Sequence, residues 1–168
     1  MATAVTATAF PLDSLIGRAL PAVDFADAWT APLGDPSVTP VEIALAVFRR
    51  TPVWVDQAMA ARNWVVSWFG LKTPGVLSAV GSKPAAAYRV GDRIGIFEIF
   101  AMSDDEVLLG IDDSHLDVRV SVLKPSDGQR YVVATSVKRH NWLGRLYMLP
   151  VGIAHPFVVR ATMRNGRL

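Results

Sequence analysis

Between Tyr88 and His140 the chain reads as consecutive strand patterns joined by short turns, and no other feature restricts the fold as much. "HLDVRVSVL" is the clearest: Leu116, Val118, Val120 and Val122 share one face, and His115, Asp117, Arg119 and Ser121 the other. "EVLLGID" precedes it and "RYVVATSVKRH" follows, after the turn residues "SDGQ". "YRVGDRIGIFEIF" reads as one or two more strands. Connections this short join antiparallel neighbours, because a parallel pair needs a long crossover.

Two helices precede the strands. Thr39 is placed to cap the first, with Pro40 at the first helical position and Glu42 set for a capping box. This helix should run to about Arg50. Thr51-Pro52 repeats the start signal, and the second helix should reach Phe69 and end at Gly70. Its apolar stripe takes Trp54, Val55, Ala58, Ala61, Val65, Trp68 and Phe69, with Arg62 projecting into the apolar arc. Most such arginines snorkel or pair with a carboxylate; fewer anchor a ligand. A weaker strand pattern, "VDFADAW", puts Val23, Phe25 and Trp29 on one face, interrupted by Asp27. Residues 1–21 look irregular, and residues 71–87 loop-like.

After the strands comes a long apolar helix, from about Leu143 to Met163. Leu143, Leu146, Tyr147, Pro150, Val151, Ala154, Val158 and Ala161 share a face, and Pro150 and Pro156 should kink or split it. Its most membrane-like part, Leu146 to Val159, is too short to span a bilayer, so a buried helix is expected, and no integral membrane role.

Composition narrows the class. A chain of 168 residues, 51% hydrophobic and 19% charged, suits one domain with one core. The absence of cysteine removes thiolate chemistry and suits a reducing, cytoplasmic setting. The N-terminus has no basic residue before its apolar part, unlike a secretory signal. The basic residues Arg160, Arg164 and Arg167 form a short tail, not the broad stripe that nucleic acid requires. There is no G-x-S-x-G elbow, no phosphate-binding loop and no H-E-x-x-H helix, and "VGDRIG" lacks dinucleotide spacing. No cofactor and no metal site is expected. The five tryptophans look like core, with some free to line an apolar pocket.

"DFADAW", "YRVGDRIGIFEI", "LLGIDDSHLDVRVSVL", "VKRHNWLGRLYMLPV" and "AHPFVV", in that order, resemble an uncharacterised bacterial family, domain-of-unknown-function family 2867. The element order is similar to the α+β helix-grip fold of the START-like, polyketide cyclase-like superfamily. That resemblance implies a curved antiparallel sheet around a long C-terminal helix, with a cavity between them. Trp142 departs from the pattern, which leads one to expect a smaller or more polar residue there.

Four places could carry chemistry. In "GIDDSHLDVRVSV", Asp112, Asp113 and Ser114 favour a turn, and Asp117 and Arg119 belong to a solvated outer face. A simple hairpin is the favoured reading; the functional one has Asp113 or Asp112 orienting His115 as a general base at the cavity mouth. In "KRHNWLGRLY", Asn141 reads as a helix cap. By the helix-grip resemblance, His140 sits near one end of the cavity, with Arg145 and Tyr147 a turn or two on. Tyr147 lies on the inward stripe and is the favoured polar contact; Trp142, Val151 and Phe97 are further lining candidates. Glu98 shares a strand face with Ile94, Ile96 and Phe100. It is a buried acid–base carboxylate if that face is inward, or faces water if a bulge shifts the register. His155 reads as a packed residue bonded to backbone.

The resemblance therefore implies binding of a hydrophobic or aromatic small molecule, by a carrier or sensor or by a cofactor-free cyclase, hydratase or isomerase using His140, Glu98 or the Asp113–His115 pair. The alternative is an interaction module without a ligand, forming a homodimer or packing on a protein partner such as an oxidoreductase domain.

Overall fold

The computed structural model describes residues 4–68 and 75–166. Every strand pattern forms a strand: β2 (Phe25–Pro32), β3 (Arg93–Ile94), β4 (Phe97–Met102), β5 (Glu106–Asp112), β6 (Leu116–Leu123) and β7 (Arg130–Arg139). With the short β1 (Thr6–Ala7) they make a seven-stranded, open, antiparallel sheet in the order β1-β2-β7-β6-β5-β4-β3. Strands β3 to β7 follow one another across it, and β2 returns from the N-terminal side to pair along β7. The architecture is α+β, with a C-terminal helix on one face of the sheet.

The helices sit where their signals put them. Helix α2 (Pro40–Arg49) begins with the capping box: the Thr39 hydroxyl accepts from the Glu42 amide, and the Glu42 carboxylate accepts from the Thr39 amide at 2.7 Å. Both groups satisfy first-turn amides that lack a partner inside the helix. Its buried face packs Ile43, Ala44, Val47 and Phe48 into the main core on the inner side of the sheet. Helix α3 (Val53–Ser67) follows; the expected end at Phe69 and Gly70 lies outside the described residues. Helix α4 (Trp142–Asn165) is continuous through Pro150 and Pro156, so the expected split does not occur.

Three expectations about burial are corrected. First, the α3 stripe is not a packed core face. Val55 is buried, but Trp54, Val65 and Trp68 are exposed, and Ala58, Ala61 and Val65 border open space between α3 and the sheet. Second, the tryptophans are mostly surface residues: Trp54, Trp64, Trp68 and Trp142 are all exposed. Third, α4 is not a buried helix. Its outward stripe of Leu146, Leu149, Ile153 and Phe157 is exposed, with Ile153 at 74%. By length and composition alone, α4 is long and apolar enough to cross a membrane. Its other face carries Tyr147, Val151, Ala154 and Val158 toward the sheet.

The outer face of the sheet is not simply solvated. The N-terminal segment, expected to be irregular, supplies β1 and the one-turn helix α1 (Leu15–Ala19). Ile16 of α1 packs with Ala28, Leu108, Val132 and Ala134 in a second apolar cluster. Beneath it Arg119 and Ser121 are buried, which corrects the reading of Arg119 as solvent-facing. The Arg119 guanidinium lies 4.0 Å over the Phe100 ring and bonds Asp112 at 2.6 Å. Such stacking and pairing replace water around a charge that has left it.

Candidate functional site

Between the inner face of the sheet, α3 and α4 lies a cavity of about 1160 Å³. The sheet lines it with the aliphatic face read from the sequence, including Val118, Val120 and Val122 of β6. α3 contributes Ala58, Ala61, Arg62 and Val65; α4 contributes Tyr147, Val151, Ala154 and His155. Ala58, Ala61 and Val65 on one helix and Pro150 and Ala154 on the other are lining residues that are also exposed, so the cavity opens between the two helices.

The polar end of the cavity is built by the hairpin in question and the start of α4. "DDSH" does make the turn between β5 and β6, but His115 precedes β6 by one residue and escapes its alternation. Its ring turns inward, 1% exposed, and lines the cavity together with Asp112 and Asp113. The turn and the site are thus the same segment. Its position is fixed by α4. Asn141 caps the helix by accepting from the Gly144 amide at 3.0 Å, and its amide nitrogen donates to the Ser114 carbonyl at 3.2 Å. The His140 amide donates to the His115 carbonyl at 2.9 Å. Gly144 allows this approach: a Cβ there would stand 2.2 Å from the His115 carbonyl oxygen.

Four side chains converge at this end. His115 Nδ1 is 3.4 Å from the Asp113 carboxylate, within ion-pair range, yet neither ring nitrogen makes a hydrogen bond among the described residues. The distance is long for a good bond, so the pair is read as an orienting contact. The imidazole stands edge-on to Tyr147, with ring centroids 5.8 Å apart. Arg62 Nε donates to the Tyr147 hydroxyl at 2.9 Å, and the guanidinium lies 5.1 Å from the centre of that ring. Arg62 is therefore a half-buried member of the site rather than a snorkelling surface arginine.

The other expected residues are placed as follows. Phe97 and Val151 line the cavity. Glu98 reaches its rim but is exposed: the two-residue turn Gly95-Ile96, with Gly95 at φ +60°, pairs Ile94 with Phe97 and Arg93 with Glu98. Directly opposed residues share a face, so Glu98 parts from Ile94, and the inward-carboxylate reading is corrected. His140, Trp142 and Arg145 are not on the cavity wall. His140 instead pairs with Asp117 at 3.0 Å, and Trp142 and Arg145 point to solvent. The departure at Trp142 therefore does not alter the cavity.

A second polar station escaped the sequence reading. Asp27, which interrupts the β2 pattern, lies on the inner side, where its carboxylate accepts from Trp29 Nε1 at 3.0 Å and meets His155 Nδ1 at 3.0 Å. Its other oxygen is buried without a partner among the described residues. His155 is thus bonded to a carboxylate, not to backbone, and it lines the cavity. The interruption at Asp27 was the signal. Among the described residues, no group of three or more His, Asp or Glu side chains is placed to hold a metal.

No curated protein and no solved structure matches this chain. A family model described as protein of unknown function (DUF2867) matches residues 19–162. That match spans most of the sheet, the cavity and nearly all of α4, and the chain belongs to the DUF2867 family.

Proposed function

We propose that this protein binds a hydrophobic or aromatic small molecule in its cavity, as a helix-grip domain would. The observation that carries this reading is the cavity itself: about 1160 Å³, open between α3 and α4, with walls mainly of aliphatic side chains. Ligand sites are typically concave and mostly apolar, with a few polar groups that set orientation. Of the two versions, the buried Asp113–His115 pair beside Tyr147 favours a cofactor-free isomerase, cyclase or hydratase over a passive carrier. The absence of cysteine supports a cytoplasmic setting.

Native mass spectrometry of gently purified protein, followed by denaturation, tests the reading. Release of an apolar metabolite is the expected result and names a compound to assay for turnover. A protein that arrives empty, and takes up none of a panel of apolar acids, alcohols and arenes, overturns it.

A second reading has its own observation: the exposed apolar stripe of Leu146, Leu149, Ile153 and Phe157 along α4. Large apolar patches of this kind mark interaction surfaces. In this reading the domain packs on a second copy or on another protein, and light scattering after gel filtration distinguishes a dimer from a monomer.

A further inference from the structure

We infer that the polar end of the cavity around His115 and Tyr147 is a head-group site for an acidic oxygen on an sp² carbon, as in a carboxylic acid or a phenol, carried by an apolar body. The inference rests on the cavity-binding reading and adds the chemistry of the ligand's polar end.

The argument begins with His115. A buried polar atom without a partner is costly, and native structures seldom keep two on one ring. Here neither imidazole nitrogen makes a hydrogen bond among the described residues, though Nδ1 stands in ion-pair range of Asp113, on a side chain 1% exposed that lines the cavity. Asp113 stands on the Nδ1 side at 3.4 Å as an acceptor for a proton there, which leaves Nε2 as the buried ring nitrogen without a partner among the described residues. The Tyr147 ring stands edge-on to the imidazole, and its hydroxyl accepts from Arg62 Nε at 2.9 Å, so its own proton is available to donate. The site thus offers an acceptor and a donor on two adjoining rings, with a guanidinium bonded to the donor hydroxyl.

An acidic hydroxyl satisfies both. Its O–H bonds to His115 Nε2, and its oxygen, or the second oxygen of a carboxyl group, accepts from Tyr147. If the proton passes to the imidazole the same bond persists. The cation is then flanked by Asp113, and the anion lies beside the Tyr147 hydroxyl and the Arg62 charge. An aliphatic alcohol makes the first contact but has no comparable charge to share, and an ether or ester cannot donate at all. Beyond the head group, Val118, Val151 and Ala154 supply apolar wall for the body of the ligand.

The test is calorimetric titration of the full chain with two matched pairs: dodecanoic acid against dodecanol, and naphthol against methoxynaphthalene. The acidic member of at least one pair should bind about tenfold or more tightly, the scale of a charge-assisted hydrogen bond. Which pair shows the gap tells a carboxylate source from a phenol source. Tyr147→Phe keeps the ring and His115→Phe keeps an aromatic in its place; each should reduce the gap to about twofold or less while the non-acidic probe binds as before. His140→Ala, away from the cavity, should leave the gap intact. Equal binding of acid and neutral probe in the native protein, or a gap that survives both variants, overturns the head-group site while leaving cavity binding standing. Failure of all four probes to bind overturns both.

Discussion

Glu106 and His115 are both buried and both polar, and they differ in everything else. Glu106 is 3% exposed on the outer side of the sheet. Its carboxylate accepts from the Leu15 amide at 2.6 Å, the Ile16 amide at 3.1 Å, and the hydroxyls of Ser14 and Ser121 at 3.2 and 2.5 Å. Ser14 makes no side-chain cap of its own, so Glu106 satisfies the first turn of α1 from the strand beneath it. His115 is on the inner side, equally buried, with neither nitrogen bonded among the described residues. A buried polar group whose bonds are all made holds a fold together; one whose bonds are missing is placed for something else. The contrast separates a buried group held by its own bonds from one left without them, and it does not divide the two faces of the sheet, because the Ser136 hydroxyl on the outer side is also buried without a partner among the described residues.

The largest effect should come from Glu106. Glu106→Ala leaves two amides and a buried Ser121 hydroxyl unpaired beneath α1, at a cost of roughly 3 kcal/mol or more. Urea unfolding measures it, and a change under about 1 kcal/mol would break the comparison at once. Next comes Gly144→Ala. The added Cβ must push α4 away from the His115 carbonyl, a backbone contact that cannot yield as a flexible side chain would. We expect a loss of about 2 kcal/mol, the scale of overpacking, together with weaker ligand binding because the hairpin moves with the helix. Loss of stability with binding unchanged would show that the hairpin is held without α4.

This pairing also explains what the sequence made legible. Period-two patterning located β2 and β4 to β7, and capping signals located α2 and the start of α4, because those signals are local. Periodicity reports which side of an element is apolar and not what that side faces. It therefore gave the α3 stripe but not the open space beneath it, nor the exposure of Trp54 and Trp68. The N-terminal segment looked irregular because the partner that orders α1, Glu106, is some 90 residues away. His115 was assigned to the outer face by extending the β6 alternation one residue past the strand's first residue. Arg119, correctly on that face, was assigned to water because nothing local announces the cover above it. Asp27 was visible only as a fault in a pattern, and such faults are where function tends to depart from folding rules.

The sharper test of the comparison is His115→Phe measured for stability rather than binding. Removing an unsatisfied buried imidazole in favour of an apolar ring of similar size should cost less than about 1 kcal/mol and is allowed to stabilise. The edge-on contact with Tyr147 survives the exchange. Thus Glu106→Ala should damage the fold and His115→Phe should spare it, although the two residues are buried alike. If the urea midpoint falls as far for His115→Phe as for Glu106→Ala, His115 is a structural residue in the same sense as Glu106.

Asp24 supplies the same kind of bond without the burial, and so should give the smallest effect. Its carboxylate accepts from the Arg139 amide at 2.7 Å and meets that residue's guanidinium at 3.1 Å, on the exposed side of the β2–β7 junction. The Arg139 amide bond, followed by the bond to its guanidinium, holds the carboxyl below its ordinary 3.8. A carboxyl whose folded value is depressed contributes stability above the unfolded value, and loses it as pH falls through the folded one. The contribution should therefore be complete above pH 3.8 and fade below it. Water and salt screen an exposed pair, so roughly a few tenths of a kcal/mol are at stake. Asp24→Asn should lower the urea midpoint slightly at neutral pH, and the difference from the native protein should close in acid and shrink in high salt. An effect as large as that of Glu106→Ala would mean that the bond to a backbone amide, not its removal from water, sets the scale, and the distinction drawn between Glu106 and His115 would rest on the wrong variable.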